Sequence, residues 1–130
     1  MYNNFLLTIL SILHSVLLMS ILVPFFSNNK VILKLYLYWL LFIYVGWILF
    51  KNKCWLSIIE NKLSNDNSNE WAMHRYITYI YPNLKKKHTV LFFYCLNYTA
   101  LIVLTYKLDI LYIGILWILL YEFFKTVINN

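Results

Sequence analysis

FLLTILSILHSVLLMSILVPFF, residues 5–26, is an apolar run broken only by Thr8, Ser11, His14, Ser15, Ser20 and a late Pro24. It matches the roughly 20 residues that an α-helix needs to cross a bilayer. No basic segment precedes it, the run is too long for a signal h-region, and no small-x-small cleavage site precedes Ser27, so it is expected to stay as a first membrane span.

Ser27-Asn28-Asn29-Lys30 reads as a turn, and residues 31–50, VILKLYLYWLLFIYVGWILF, form a second run of spanning length. Together they predict an antiparallel hairpin. Residues 89–106 and 110–128 repeat the pattern, joined by a turn as short as Lys107-Leu108-Asp109. The expected fold class is therefore all-α: a polytopic membrane protein of four transmembrane helices in two hairpins, one domain over residues 1–130.

Composition agrees. Of 130 residues 62% are hydrophobic and 12% charged, against roughly 25% charged in an ordinary soluble domain. Only 2 Gly and 2 Pro are present, which disfavours collagen-like and turn-rich β architectures. The net charge is +6, but the basic residues flank apolar spans, which points to the bilayer and its anionic headgroups as partners rather than to nucleic acid. Other membrane proteins or a second copy of the chain remain open as partners. Lys51, Lys53, Lys62, Arg75, Lys85, Lys86, Lys87 and Lys125 fall on one side of the four-span arrangement, against Lys30, Lys34 and Lys107 on the other. The positive-inside rule then places both termini and the connector 51–88 in the cytoplasm.

Two parts of that connector carry amphipathic spacing. In Cys54–Leu63, Trp55, Ile58 and Ile59 share one face and Ser57, Glu60, Asn61 and Ser64 the other; Trp71–Tyr81 is the second. Both are expected to lie in the membrane interface. The polar run 64–69 links them, and Pro82 ends the second before Lys85-Lys86-Lys87-His88.

Candidate chemistry is sparse. His14 lies nine residues into the first span, about 13 Å deep at 1.5 Å per residue, and an intramembrane ionisable group is a functional hypothesis in itself. Asn97 falls at similar depth in the third span, so a His14–Asn97 bond is geometrically allowed, and a neutral His acting as packing glue is the simplest account. Glu60 with His74 and Arg75 could form a polar cluster on the cytoplasmic face; Glu60 otherwise reads as a solvated or ion-paired charge. Ser57-x-x-Glu60 also has the spacing of a capping box, the stronger explanation of that pair. Glu122 is placed to meet Lys125 at i+3. Lys85, Lys86 and Lys87 are the candidate headgroup contact. Cys54 and Cys95 lack the spacing of a disulfide framework or a zinc site, so no metal or other cofactor is expected. HExxH, GxSxG and Gly-rich phosphate loops are absent from the sequence.

The first half resembles a family of small bacterial membrane proteins of unknown function that carry a His in the first span and a Cys-Pro-Leu-Thr-x-x-Glu motif after the second. The corresponding positions are His14, Trp47, Cys54, Leu56, Ser57 and Glu60, within Phe5 to Leu63. Trp55 stands where the motif has Pro, and Ser57 where it has Thr. The resemblance implies a four-helix membrane fold and gathers His14, Cys54, Ser57 and Glu60 as one possible site. It implies no reaction.

From the residues alone, the leading functional expectation is a non-enzymatic membrane-complex or lipid-interacting subunit. The alternatives are a membrane-embedded enzyme or redox component using His14, Glu60 and His74, and a small oligomeric transporter or pore lined by His14, Asn97 and Glu122.

Overall fold

The computed structural model describes residues 2–51, 53–64 and 77–129, with side chains from Phe5 to Ile128. Among the described residues all regular structure is helical, and four helices are long and apolar enough to cross a membrane, which fits a multi-pass membrane protein.

Helix α1, Tyr2–Met19, runs through a 3₁₀ turn, Ser20–Leu22, into the short α2, Val23–Phe26. The tightening has a local cause. Pro24 occupies the first turn of α2, and its ring and missing N–H disfavour an unbroken α-helix through the preceding turn. Asn29 then caps α3, Lys30–Leu49, its side-chain oxygen accepting from the amides of Val31 at 2.9 Å and Ile32 at 3.4 Å. At the far end Lys51 turns the chain with φ 52°, a left-handed conformation uncommon outside Gly and Asn. That reversal feeds α4, Trp55–Leu63.

The second hairpin pairs α5, Lys86–Lys107, with α6, Leu111–Asn129, through Leu108 and a left-handed Asp109 at φ 60°. The expected third span thus begins a turn earlier than its apolar run, with Lys86, Lys87 and His88 inside the helix. At the turn, Gly114 lies against Thr105 of α5: a Cβ placed on it would meet Thr105 Oγ1, with Cγ2 at 3.0 Å and Cβ at 3.1 Å. Small residues let helix backbones approach where lipid supplies no hydrophobic drive for association.

The two turns are tied to each other. Lys107 Nζ donates to the carbonyls of Ser27 at 2.9 Å and Phe25 at 3.4 Å, and Lys30 lies 3.5 Å from Asp109 on the surface. Central place in the bundle belongs to α5, with 44% of its apolar window buried against 11% for the first and fourth spans. Leu33, Leu40, Tyr44, Trp47, Leu101, Leu104 and Tyr121 make the core with their neighbours. Phe5, Leu35, Phe92, Leu119 and Phe123 point outward and are exposed, a distribution suited to a lipid solvent and costly in water.

One helix departs from the hairpin pattern. α1 packs chiefly against α4 rather than along another span. α4 is turned with Leu56, Ser57 and Glu60 inward and Ile59 outward. Its polar stripe is thus an interior surface, not a water-facing one. Of the expected second amphipathic segment only 77–81 is described, and 77–80 is helical.

Candidate functional site

The inward stripe of α4 meets the polar face of α1. His14, only 3% exposed, has its Nδ1 3.1 Å from Oε1 of Glu60, itself 2% exposed. The other ring nitrogen, Nε2, lies 3.6 Å from the sulfur of Cys54. A carboxylate only accepts, so Nδ1 carries the proton it donates to Glu60, and Nε2 is left to exchange a proton with the thiol. Thiol, imidazole and carboxylate form a linear relay.

Each member is placed by a distinct element. His14 comes from the middle of the first span, where a helical side chain tilts toward the helix N-terminus. Cys54 ends the connector after α3 and is the N-cap of α4, and Glu60 lies nearly two turns further along the same helix. The amides of Leu56 and Ser57 at the start of α4 lie near enough to the sulfur to favour a thiolate, without the geometry of a formed cap hydrogen bond. Burial by itself would push the Cys54 thiol up. The hydrogen bond to His14, its charge and the two amides outweigh burial and hold the thiol below its ordinary value.

These positions correct three expectations. Of the two readings of Glu60, solvated or ion-paired, the solvated one falls and the paired one stands, because α4 packs its polar stripe on α1, which supplies His14 as the partner. Ser57 and Glu60 are not a capping box, because the helix starts at Trp55 with Cys54 as its cap and both residues lie inside it. His14 and Asn97 do not bond to each other: both His14 nitrogens face Glu60 and Cys54, and Asn97 Nδ2 donates to the Phe93 carbonyl of its own helix at 2.7 Å. The two side chains instead line one cavity of about 60 Å³, with Cys54 and Trp47 also in its wall.

His74 and Arg75 lie outside the described residues, so the expected cluster with Glu60 is not on view. Lys85, Lys86 and Lys87 are exposed at the start of α5, at a distance in sequence and in fold from the thiol. Glu122 pairs with Lys125 at 2.9 Å and accepts from the Tyr98 hydroxyl, and the Lys125 ammonium lies 4.4 Å from the centre of the Tyr94 ring. This group closes the Tyr44–Tyr94–Tyr98–Tyr121 aromatic cluster and does not reach His14.

Cys54 is the residue that composition and spacing passed over. Beyond the resemblance that grouped it with His14, Ser57 and Glu60, its sequence signal is position: a Cys directly before a helix whose buried stripe contains a carboxylate. Among the described residues no three His, Cys, Asp or Glu side chains converge in metal-binding geometry; the His14 Nδ1–Glu60 contact takes the carboxylate away from the thiol side of the ring. No protein-family model, curated protein or solved structure matches the chain.

Proposed function

We propose that the protein is a multi-pass integral membrane enzyme of the thiol type, in which Cys54 is an acyl-accepting nucleophile, His14 its general base and Glu60 the group that orients and charges His14. The observation that carries this is the Cys54–His14–Glu60 relay at 3.6 Å and 3.1 Å, with the imidazole and carboxylate buried and the sulfur facing a cavity. A nucleophile within reach of a base that a third group orients is the arrangement used for covalent acyl transfer.

In the reaction, Nε2 of His14 takes the Cys54 proton and the thiolate attacks an acyl carbonyl carbon. A C–S bond forms and the bond to the leaving oxygen or sulfur breaks, with the leaving group taking the proton from His14. Water or a second nucleophile then attacks the thioester and restores the thiol. The lysine distribution supports a topology with both termini and the connector in the cytoplasm, so that the site opens toward that leaflet.

The test is intact-mass analysis of purified protein in nanodiscs after incubation with a long-chain acyl thioester. A hydroxylamine-labile acyl adduct on Cys54, lost in Cys54→Ala and slowed in His14→Gln and Glu60→Gln, is expected. An unmodified Cys54, or acylation indifferent to His14, would return the protein to the second reading: a non-enzymatic lipid-interacting subunit, supported by the exposed Lys85, Lys86 and Lys87.

A further inference from the structure

The cavity at the thiol is a narrow crevice between the first span and α3. Because α1 packs on α4 and not along α3, these two spans are held apart below the site. Leu17 and Leu18 of α1 and Ile21 of the 3₁₀ turn line one wall, and Ile43, Leu40 and Tyr36 the α3 wall. From His14 to Ile21 the first wall runs about 10 Å, and from Trp47 to Tyr36 the antiparallel wall runs about 16 Å, at 1.5 Å per residue. His14, Cys54 and Asn97 sit among its few polar groups, with the thiol at the end where α3 stops.

We infer that this crevice holds one acyl chain of a bilayer phospholipid, entering sideways between α1 and α3, and that the ester of that chain is the acyl donor to Cys54. The inference rests on the thiol reading above and names its substrate class. Three features select the occupant. Its walls belong to spans, so the medium at their depth is hydrocarbon and the chain moves from lipid to protein with little change of environment. The whole crevice is narrow, about 60 Å³, or about four water-sized groups, room for a run of methylenes in single file and too little for a peptide segment or a folded head group. The thiol and the imidazole that serves it lie together at the end of the crevice where α3 stops and the connector begins, while Tyr36 and Trp39 border the other end.

The balance is that of a transesterification. Cys54 sulfur bonds to the chain's carbonyl carbon, the bond between that carbon and the glycerol oxygen breaks, and the glycerol oxygen leaves with the proton held by His14. A lysophospholipid and S-acyl-Cys54 result.

The test uses full-length Cys54→Ala protein in nanodiscs of phosphatidylcholine carrying a diazirine near the end of one chain. Peptide mapping after irradiation is expected to place cross-links on Leu18, Leu40 and Ile43. Leu18→Trp and Ile43→Trp, which fill the crevice from opposite walls, should reduce that labelling several-fold, while Leu35→Trp on the exposed face of α3 leaves it unchanged. Labelling confined to exposed residues such as Leu35 and Tyr38, or indifferent to both filling variants, overturns the inference. A parallel measurement in the Cys54 protein separates the two readings. Acylation from a water-soluble short-chain thioester but not from phospholipid keeps the thiol reading and rejects the lipid donor. Crevice labelling without acylation from any donor rejects the thiol chemistry and, with it, the lipid as substrate.

Discussion

The sulfur of Cys54 lies 3.6 Å from Nε2 of His14, although 40 residues and a complete membrane span separate them in the chain. The contact exists because α3 ends in a left-handed Lys51 that turns the chain back, so that α4 docks on α1.

This contact predicts a pH profile for the thiol. With Cys95 replaced by Ser to leave one reporter, the rate of Cys54 alkylation should rise with a midpoint below that of a free cysteine, because His14 and the α4 amides favour the thiolate more than burial opposes it. In His14→Gln the opposing effect of burial is left and the midpoint should move up. Since the folded-state value is depressed, the thiolate's contribution to stability is present above the unfolded value and is lost as pH falls through the folded one. A wild-type midpoint at or above that of free cysteine would refute the pairing.

The His14–Glu60 pair should behave as a buried unit. Glu60→Ala leaves His14 without its acceptor, and breaking one side of a buried pair costs roughly 3–5 kcal/mol. Replacing both by Leu should recover much of that loss. Reversible unfolding in mixed detergent, run as a double-mutant cycle, measures the coupling; additive single effects would show that the two side chains do not act together.

Gly114 is required by contact, not by backbone conformation. A methyl group there meets Thr105 Oγ1 and Cγ2, so Gly114→Ala should destabilise the α5–α6 hairpin by about 1–3 kcal/mol, the usual range for overpacking. Thr105→Ala in the same chain should restore part of it, as followed by thermal unfolding.

Lys107 joins the two hairpin turns through the carbonyls of Ser27 and Phe25. Its loss in Lys107→Met should cost about 1.5–3 kcal/mol, typical of a hydrogen bond to a charged group. Faster amide exchange is expected around the Ser27–Asn29 turn, with α4 unaffected.

The proposed sidedness, argued from the lysine distribution, has a direct readout. Single cysteines at Asn29 and Asn67 should be labelled by an impermeant maleimide from opposite faces of sealed vesicles. Labelling of both from one face would remove the two-hairpin topology.

The four spans and the turns between them were legible in the residues because the information is local: a run such as Phe5–Phe26 is long and apolar enough to cross lipid whatever its neighbours do, and Ser27-Asn28-Asn29 or Lys107-Leu108-Asp109 is too short to do anything but reverse the chain; that α1 packs on α4 and not along α3 was not. The amphipathic spacing of Cys54–Leu63 was equally plain, but its orientation was not. A period of 3.6 residues shows that α4 has a polar face and leaves open whether that face turns to water or to another helix. Packing settled it. Ser57 and Glu60 turn inward because α1 presents His14 at the matching height, across a separation of 46 residues. The same long-range fit made Cys54, an isolated cysteine in the sequence, the third member of a buried relay, and opened a crevice between α1 and α3 that no single run of residues encodes.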